Sequence, residues 1–249
     1  MDPRDRERTI KVTMLDGLGV KMYVDGADIA AIAAAARDPL IKGFTTNPTL
    51  MRQAGVDNYE QFARKALEVV NGKPISFEVT TDDSDEMYRQ ARRLSALGDN
   101  VYVKIPVTNC SGASSDELIE RLAADGISLN VTAIFTPAQV DSVVGKLLSG
   151  PPSYVSVFAG RIADTGVDPM PIVRHAVEVV IDEPQIEVIW ASSREVLNVI
   201  QAAQCGCHII TLTNDLLRKL PCLGRDLSAF SLETVQMFRR DALAAGYEW

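Results

Sequence analysis

The chain has 249 residues, 47% hydrophobic and 23% charged, the proportions of an ordinary globular protein, which excludes disordered and fibrous classes. Its 25 Lys and Arg against 33 Asp and Glu give a net charge of −8, which excludes a protein that binds nucleic acid by neutralising phosphates. No run reaches the roughly 18 consecutive apolar residues of a membrane helix, and residues 1–19 are too charged for the apolar core of a signal peptide, so a cytoplasmic protein with no membrane partner is expected.

Residues 1–20 precede the first strand signal and are expected to form an N-terminal arm, with 21–249 as one domain. From Lys21 onward, short β-branched runs alternate with longer amphipathic stretches. The strand candidates are KMYV at Lys21, KGFTT at Lys42, ISFEV at Ile75, VYVKI at Val101, SLNVTA at Ser128, YVSVF at Tyr154, IEVIWA at Ile186 and CHIIT at Cys207. Between them, ADIAAIAAAAR, YEQFARKALEVV, SDEMYRQARRLSAL, DELIERLAA, PAQVDSVVGKLL, PMPIVRHAVEVVI and REVLNVIQAA carry apolar residues at helical spacing. Eight strand-and-helix units in about 250 residues is the count of an α/β (β/α)8 TIM barrel, with a doubly wound open sheet as the competitor. An added C-terminal helix is expected over 231–246, with Ser231 as its N-cap.

Four cysteines, Cys110, Cys205, Cys207 and Cys222, are too few for a disulfide scaffold and form no C-x-x-C pair. With only His175 and His208 beside them they read as reduced thiols, and no metal site is expected.

Side chains of a strand alternate faces, so polar residues sort by parity against their aliphatic neighbours. In the fourth strand Val101, Val103 and Ile105 oppose Tyr102 and Lys104; in the third Ile75, Phe77 and Val79 oppose Ser76 and Glu78. The fifth sets Leu129, Val131 and Ala133 against Ser128, Asn130 and Thr132, and the sixth sets Val155 and Val157 against Tyr154, Ser156 and Phe158. If the aliphatic face packs on helices, then Asp25, Asn47, Glu78, Lys104, Asn130, Thr132 and Ser156 point into the lumen near the carboxyl ends of the strands, where this fold keeps its active sites.

Lys104 weighs most. A lysine inside V-Y-V-K-I-P is costly to bury as a cation, and a neutral amine is the nucleophile that forms a Schiff base with a carbonyl substrate. The alternative is a structural Lys104–Glu78 ion pair. Imine chemistry also needs proton carriers, and Asp25 and Glu78 are the inward carboxylates. Arg161 in F-A-G-R, with Ser192, Ser193 and Arg194 in S-S-R opening a helix, suits a phosphate group at one barrel face; the alternative for either arginine is a surface ion pair. No P-loop, nucleophile elbow, H-E-x-x-H or dinucleotide fingerprint is present.

T-T-N-P-T at 45–49, V-K-I-P-V-T at 103–108, L-N-V-T-A-I-F-T at 129–136, S-V-F-A-G-R-I-A-D at 156–164 and W-A-S-S-R at 190–194 resemble the transaldolase family in kind and in order. The resemblance implies transfer of a dihydroxyacetone unit between sugar phosphates, with no cofactor. It implies Lys104 as the Schiff-base lysine, Asp25 as the acid/base toward the substrate C4 hydroxyl, and Glu78 with Thr132 as holders of a catalytic water. Asn47, Asn130 and Ser156 would hold the dihydroxyacetone portion and Arg161, Ser192 and Arg194 the phosphate, with Thr45 and Phe158 also among the substrate-binding residues. The compact branch it resembles includes fructose-6-phosphate aldolases, which release free dihydroxyacetone and carry Gln and Tyr where this chain has Glu78 and Phe158. The length matches that branch, where rings of identical subunits are common, so a homo-oligomer is expected. Residues 1–20 and an insertion at 109–115 depart from its shorter members, which leaves room for a transaldolase specialised to an unusual sugar phosphate. The competing class is a barrel that binds sugar phosphates without turning them over.

Overall fold

The structure, a computed structural model, describes residues 17–247. Of the expected N-terminal arm, residues 1–16 lie outside the described residues. Eight parallel strands, β1 (Lys21–Asp25), β2 (Ile41–Thr45), β3 (Ile75–Glu78), β4 (Val101–Pro106), β5 (Leu129–Ile134), β6 (Ser153–Val157), β7 (Ile186–Trp190) and β8 (Ile209–Thr213), close into a barrel in sequence order. The closing ladder runs β8 beside β1, from Lys21 opposite Ile209 to Asp25 opposite Thr213. All eight strand expectations fall within a residue or two of these bounds, and the open sheet is excluded by closure.

The crossover helices are α1 (Ile29–Ala36), α2 (Pro48–Gln53), α3 (Tyr59–Val69), α4 (Ser84–Ser95), α5 (Asp116–Ala124), α6 (Pro137–Leu147), α7 (Ala159–Asp164), α8 (Met170–Val179), α9 (Leu197–Gln204) and α10 (Asn214–Lys219). Helix starts follow local capping chemistry. Asp28, Asn47, Asn58 and Asp83 each accept from a backbone N–H three residues on, and Thr136 with Gln139 forms a capping box ahead of Pro137. The short α2 and α7, six residues each, carry too little periodicity to be seen in the sequence.

The final helix, α11 (Leu227–Ala244), begins four residues before the expected position 231 and ends two before 246. Asp226, not Ser231, is its N-cap: the Asp226 carboxylate accepts from Ala229 N at 2.8 Å, leaving Ser231 inside the first turns. None of its residues is buried.

The main core lies between strands and helices, where Val103, Ile105, Phe77 and Val131 meet Ala91, Leu122 and Val143, all nearly inaccessible. A second cluster, Tyr23, Tyr154, Ile189, Ala191 and Ile209 with Tyr102 and Phe158 against it, fills the lumen. The parity expectation therefore holds, with the aliphatic faces outward and the opposite faces inward. Gly43 makes room for this filling: a Cβ there would fall 2.4 Å from the Tyr23 ring. Cys205 and Cys207 are buried and unbridged, Cys110 and Cys222 exposed, and burial pushes the Cys207 thiol up to about 12.

Candidate active site

Lys104 emerges from β4 into the lumen, and its ammonium lies 3.0 Å from Glu78 Oε2 on the adjacent β3; the side chains are 7% and 17% exposed. The ion pair anticipated as the alternative to a reactive lysine is thus present. Lys104 also donates to Thr46 O at 3.1 Å, a carbonyl just past the end of β2. The β3–β4 register sets Glu78 directly opposite Lys104, so the pairing follows from strand alignment. Beneath Glu78, the half-buried Tyr59 of α3 donates to the Glu78 carbonyl at 2.7 Å and fixes the backbone there.

Asp25 ends β1. It accepts from Thr45 Oγ1 at 2.9 Å, and Thr45 Oγ1 also lies 2.6 Å from Thr211 Oγ1. Burial is the main reason its carboxyl titrates above the ordinary aspartate value; Lys104 and the Thr45 hydrogen bond pull it back, and Glu78 pushes it up further. A second chain of bonds runs across the lumen from Ser156 Oγ to Asn130 Oδ1 at 2.6 Å and from Asn130 Nδ2 to Ser76 Oγ at 2.9 Å. Asn130 is thereby held through both ends of its amide.

Thr132 differs from these neighbours. Its side chain is almost wholly inaccessible, yet its Oγ1 has no hydrogen-bond partner among the described residues. The next residue, Ala133, adopts φ 58°, a left-handed conformation unusual for alanine, and the β5–β6 register shifts between Val131 and Ile134. The ladder is irregular and the backbone left-handed beside the orphaned hydroxyl, a form of strain that concentrates at functional positions. A small polar group is the natural complement of that hydroxyl.

Asn47 is not a lumen side chain of β2: it caps α2, accepting from Leu50 N at 3.0 Å, and sits half-buried at the rim. Half-buried Phe158 follows β6, its ring 5.9 Å from that of Phe135 and 5.8 Å from the Arg161 guanidinium. Arg161 is exposed on α7.

The 192–194 segment follows β7 but does not open a helix as expected, because α9 begins only at Leu197. The buried Asn198 of α9 reaches back instead, its Oδ1 accepting from Arg194 N at 2.8 Å and Glu195 N at 3.1 Å, so the chain turns before the helix starts. Ser192 has φ 62°, and Ser193 Oγ donates to Thr211 O at 2.9 Å. The Arg194 side chain is tied to Asp164 of α7.

The strand ends therefore carry Asp25, Thr45, Glu78, Lys104, Asn130, Thr132 and Ser156, and the segments that follow the strands carry Asn47, Phe158, Arg161, Ser192 and Arg194. Ser76, Thr211 and Thr46 belong to the same network. The first two share the parity of their candidate neighbours and are legible on that ground; Thr46 gives its carbonyl to Lys104 and its hydroxyl to Ser76 O at 2.8 Å, contacts that no sequence pattern marks. No group of three or more His, Cys, Asp or Glu able to hold a metal ion occurs among the described residues.

Comparison with known proteins supplies a family. Residues 22–246 match the family model described as transaldolase/fructose-6-phosphate aldolase. A probable transaldolase of Thermoanaerobacter sp. (strain X514) is 35% identical over 202 residues, covering 81% of this chain and 89% of that protein. A probable transaldolase of Streptococcus pyogenes serotype M5 (strain Manfredo) is 34% identical over 203 residues, covering 81% of this chain and 90% of that protein. A solved structure from Burkholderia cenocepacia J2315 superposes with a TM-score of 0.54 at 14% identity, over 90% of this chain and 84% of that one, a likeness of fold alone.

Proposed function

The chain belongs to the transaldolase/fructose-6-phosphate aldolase family, and on that premise we propose that it is a transaldolase moving a dihydroxyacetone unit from a ketose phosphate to an aldose phosphate through a lysine Schiff base. The observation that carries the reading is Lys104, buried at the barrel mouth with one carboxylate at 3.0 Å and a second, Asp25, in the same ring of side chains. An ion pair does not argue against this. A carboxylate in contact with the ammonium is an acceptor for the proton that Lys104 sheds to become a nucleophile.

In this reading Lys104 Nζ adds to the C2 carbonyl of the donor, and loss of water leaves a protonated imine. Asp25 takes the proton of the C4 hydroxyl as the C3–C4 bond breaks; the electron pair enters the imine, giving an enamine and a free aldehyde. The enamine attacks the acceptor aldehyde, Asp25 returns its proton to the new hydroxyl, and water hydrolyses the resulting imine. The imine is the electron sink, so the chemistry calls for neither metal nor organic cofactor. Thr132 Oγ1 and Glu78 hold the water, a role for which the support is the unpartnered hydroxyl. Asn130, held at both ends of its amide, lines the dihydroxyacetone portion with Ser156, Thr45 and Asn47, and Arg161, Ser192 and Arg194 face the phosphate.

Transfer is favoured over release by Phe158, which offers no hydroxyl to protonate the enamine. The experiment is a coupled assay with fructose 6-phosphate, with and without erythrose 4-phosphate, following glyceraldehyde 3-phosphate and free dihydroxyacetone together. Glyceraldehyde 3-phosphate appearing only with acceptor supports the transaldolase. Acceptor-independent dihydroxyacetone makes the chain an aldolase. Failure of borohydride to trap any ketose phosphate on Lys104 favours a binding protein without turnover.

We also propose that the protein is a homo-oligomer acting in the cytoplasm. Support for association is α11, whose Leu227, Phe230, Leu232, Val235 and Phe238 are 40% to 81% exposed, a large apolar face for one chain to leave in water. Support for the compartment is the four unbridged thiols. Light scattering of the parent against Phe238→Asp tests the first; a parent that scatters as a monomer overturns it.

A further inference from the structure

We propose that Asp164 is a positioning residue for phosphate recognition, setting Arg194 in the orientation that meets the substrate; this rests on the reading of Arg194 as a phosphate ligand. Arg194 Nε donates to Asp164 Oδ1 at 3.1 Å and Oδ2 at 3.2 Å, and Nη2 donates to Oδ2 at 2.5 Å. The carboxylate thus takes one edge of the guanidinium, leaving both protons of Nη1 and one of Nη2 to point elsewhere.

The backbone that carries Arg194 is already fixed on three sides. Asn198 holds its N–H, Ser193 is bonded to Thr211 O, and α7 packs directly on Ser192. That last contact is close enough to require glycine, since a Cβ on Gly160 would fall 1.6 Å from Ser192 O. What remains free is the long side chain of Arg194, and Asp164 restrains it. Both partners are about half exposed, at 48% and 52%, and an ion pair in that setting adds little to stability, so holding the fold is a poor account of it. Asp164 stands three residues after Arg161 on the same α7, and both arginines hold its carboxyl below the ordinary range, Arg194 foremost. The carboxylate therefore holds Arg194 directly, while Arg161, on the same helix, acts on it only through space.

The test compares glyceraldehyde 3-phosphate with unphosphorylated glyceraldehyde as acceptors. Asp164→Ala is expected to raise KM for the phosphorylated acceptor about three- to tenfold, the scale of freeing one rotamer-rich side chain, with kcat, melting temperature and KM for glyceraldehyde unchanged. Asp164→Asn, which keeps one acceptor, gives a smaller rise in the same direction. Added to Arg194→Ala, Asp164→Ala should have no further effect. An unchanged or lowered KM in Asp164→Ala overturns the proposal, a lowered one meaning that the carboxylate competes with phosphate. If Arg194→Ala leaves the preference for phosphorylated acceptor intact, the phosphate reading itself fails and the proposal falls with it. A shift in Arg194→Ala alone, with none in Asp164→Ala, overturns only the positioning role.

Discussion

The two halves of the barrel lumen are built from the same strands at the same parity and yet have opposite character. On four strands, two residues of chain, a rise of roughly 6–7 Å, separate a floor residue from a mouth residue: Tyr23 from Asp25, Tyr102 from Lys104, Tyr154 from Ser156, Ile209 from Thr211. On the floor the polar atoms satisfy one another. Tyr23 and Tyr154 hydroxyls lie 2.8 Å apart, and the Tyr102 and Tyr154 rings stack with centroids 4.0 Å apart, so burial raises the phenol pKa values of Tyr23 and Tyr154 without creating any unmet demand. At the mouth, charge is kept partly buried and Thr132 Oγ1 is left without a partner among the described residues. Pointing inward therefore does not separate the two halves; the floor is neutral and closed on itself, whereas the mouth holds the charged groups Lys104, Glu78 and Asp25 together with the Thr132 hydroxyl.

The largest effect expected from that contrast is at Lys104. Lys104→Ala should abolish turnover and borohydride trapping while the barrel still folds, because Glu78 retains some access to water at the mouth. Circular dichroism and a thermal melt on the trapped and untrapped protein check both halves. Residual turnover within tenfold of the parent would remove Lys104 from the chemistry.

Asp25→Asn comes next, with turnover reduced roughly 10²- to 10⁴-fold, the usual share of a general acid/base. Its stability should move the other way. The Asp25 carboxyl titrates above the ordinary value near 3.9, so the folded chain holds that proton more tightly than the unfolded chain does. Ionising it costs stability: the cost is absent below the unfolded pKa, grows as pH rises from there, and is complete above the folded value. Asn carries no such cost. Urea titrations should find the variant level with the parent near pH 4 and more stable at pH 7; an advantage that shrinks as pH rises would contradict the burial argument.

Thr132→Val is a gentler case of the same opposition. Valine is close in shape and removes an unpartnered buried hydroxyl, so a gain of about 1 kcal/mol in unfolding free energy is expected. If Oγ1 holds a water used in imine formation or hydrolysis, turnover falls at the same time, though less than in Asp25→Asn. A variant that is less stable than the parent would mean that the hydroxyl is satisfied after all.

Much of this contrast is legible in the sequence, for an identifiable reason. Strand parity needs only the identity of alternate residues, so Val103 and Ile105 around Lys104, or Phe77 and Val79 around Glu78, mark the inward face without coordinates. Parity alone is silent about depth; position along the strand is what separates Asp25, at the carboxyl end of β1, from Tyr23 two residues earlier, and the closed barrel sets them as mouth and floor. Contacts between distant segments are harder to read. The Lys104–Glu78 pair is foreseeable as two inward charges, and the β3–β4 register supplies its geometry; Asp164, three residues after Arg161 in a visible motif, gains meaning only when α7 meets the segment after β7. Local rules misled where two candidates competed: Asp226 and Ser231 are both good N-caps, and Asn47, read as a lumen residue, serves as one. The left-handed Ala133 and Ser192 carry no glycine to announce them.

The smallest effect expected is on the floor, and it decides whether the contrast is real. Tyr154→Phe removes the hydroxyl that meets Tyr23 and keeps the ring stacked on Tyr102, so packing is retained and one buried neutral hydrogen bond is lost. That loss is worth about 1 kcal/mol, which for a chain of this size lowers the melting temperature by roughly 2–4 °C. Turnover and both Michaelis constants should stay at the parent's values, because nothing at the floor touches substrate in the proposed mechanism. A fall in kcat of tenfold or more with the melting temperature unchanged would mean that the tyrosine pair supports the mouth, whose Ser156 lies two residues further along the same β6. The lumen would then be one functional unit, and the division between a neutral, closed floor and a charged mouth would have to be withdrawn.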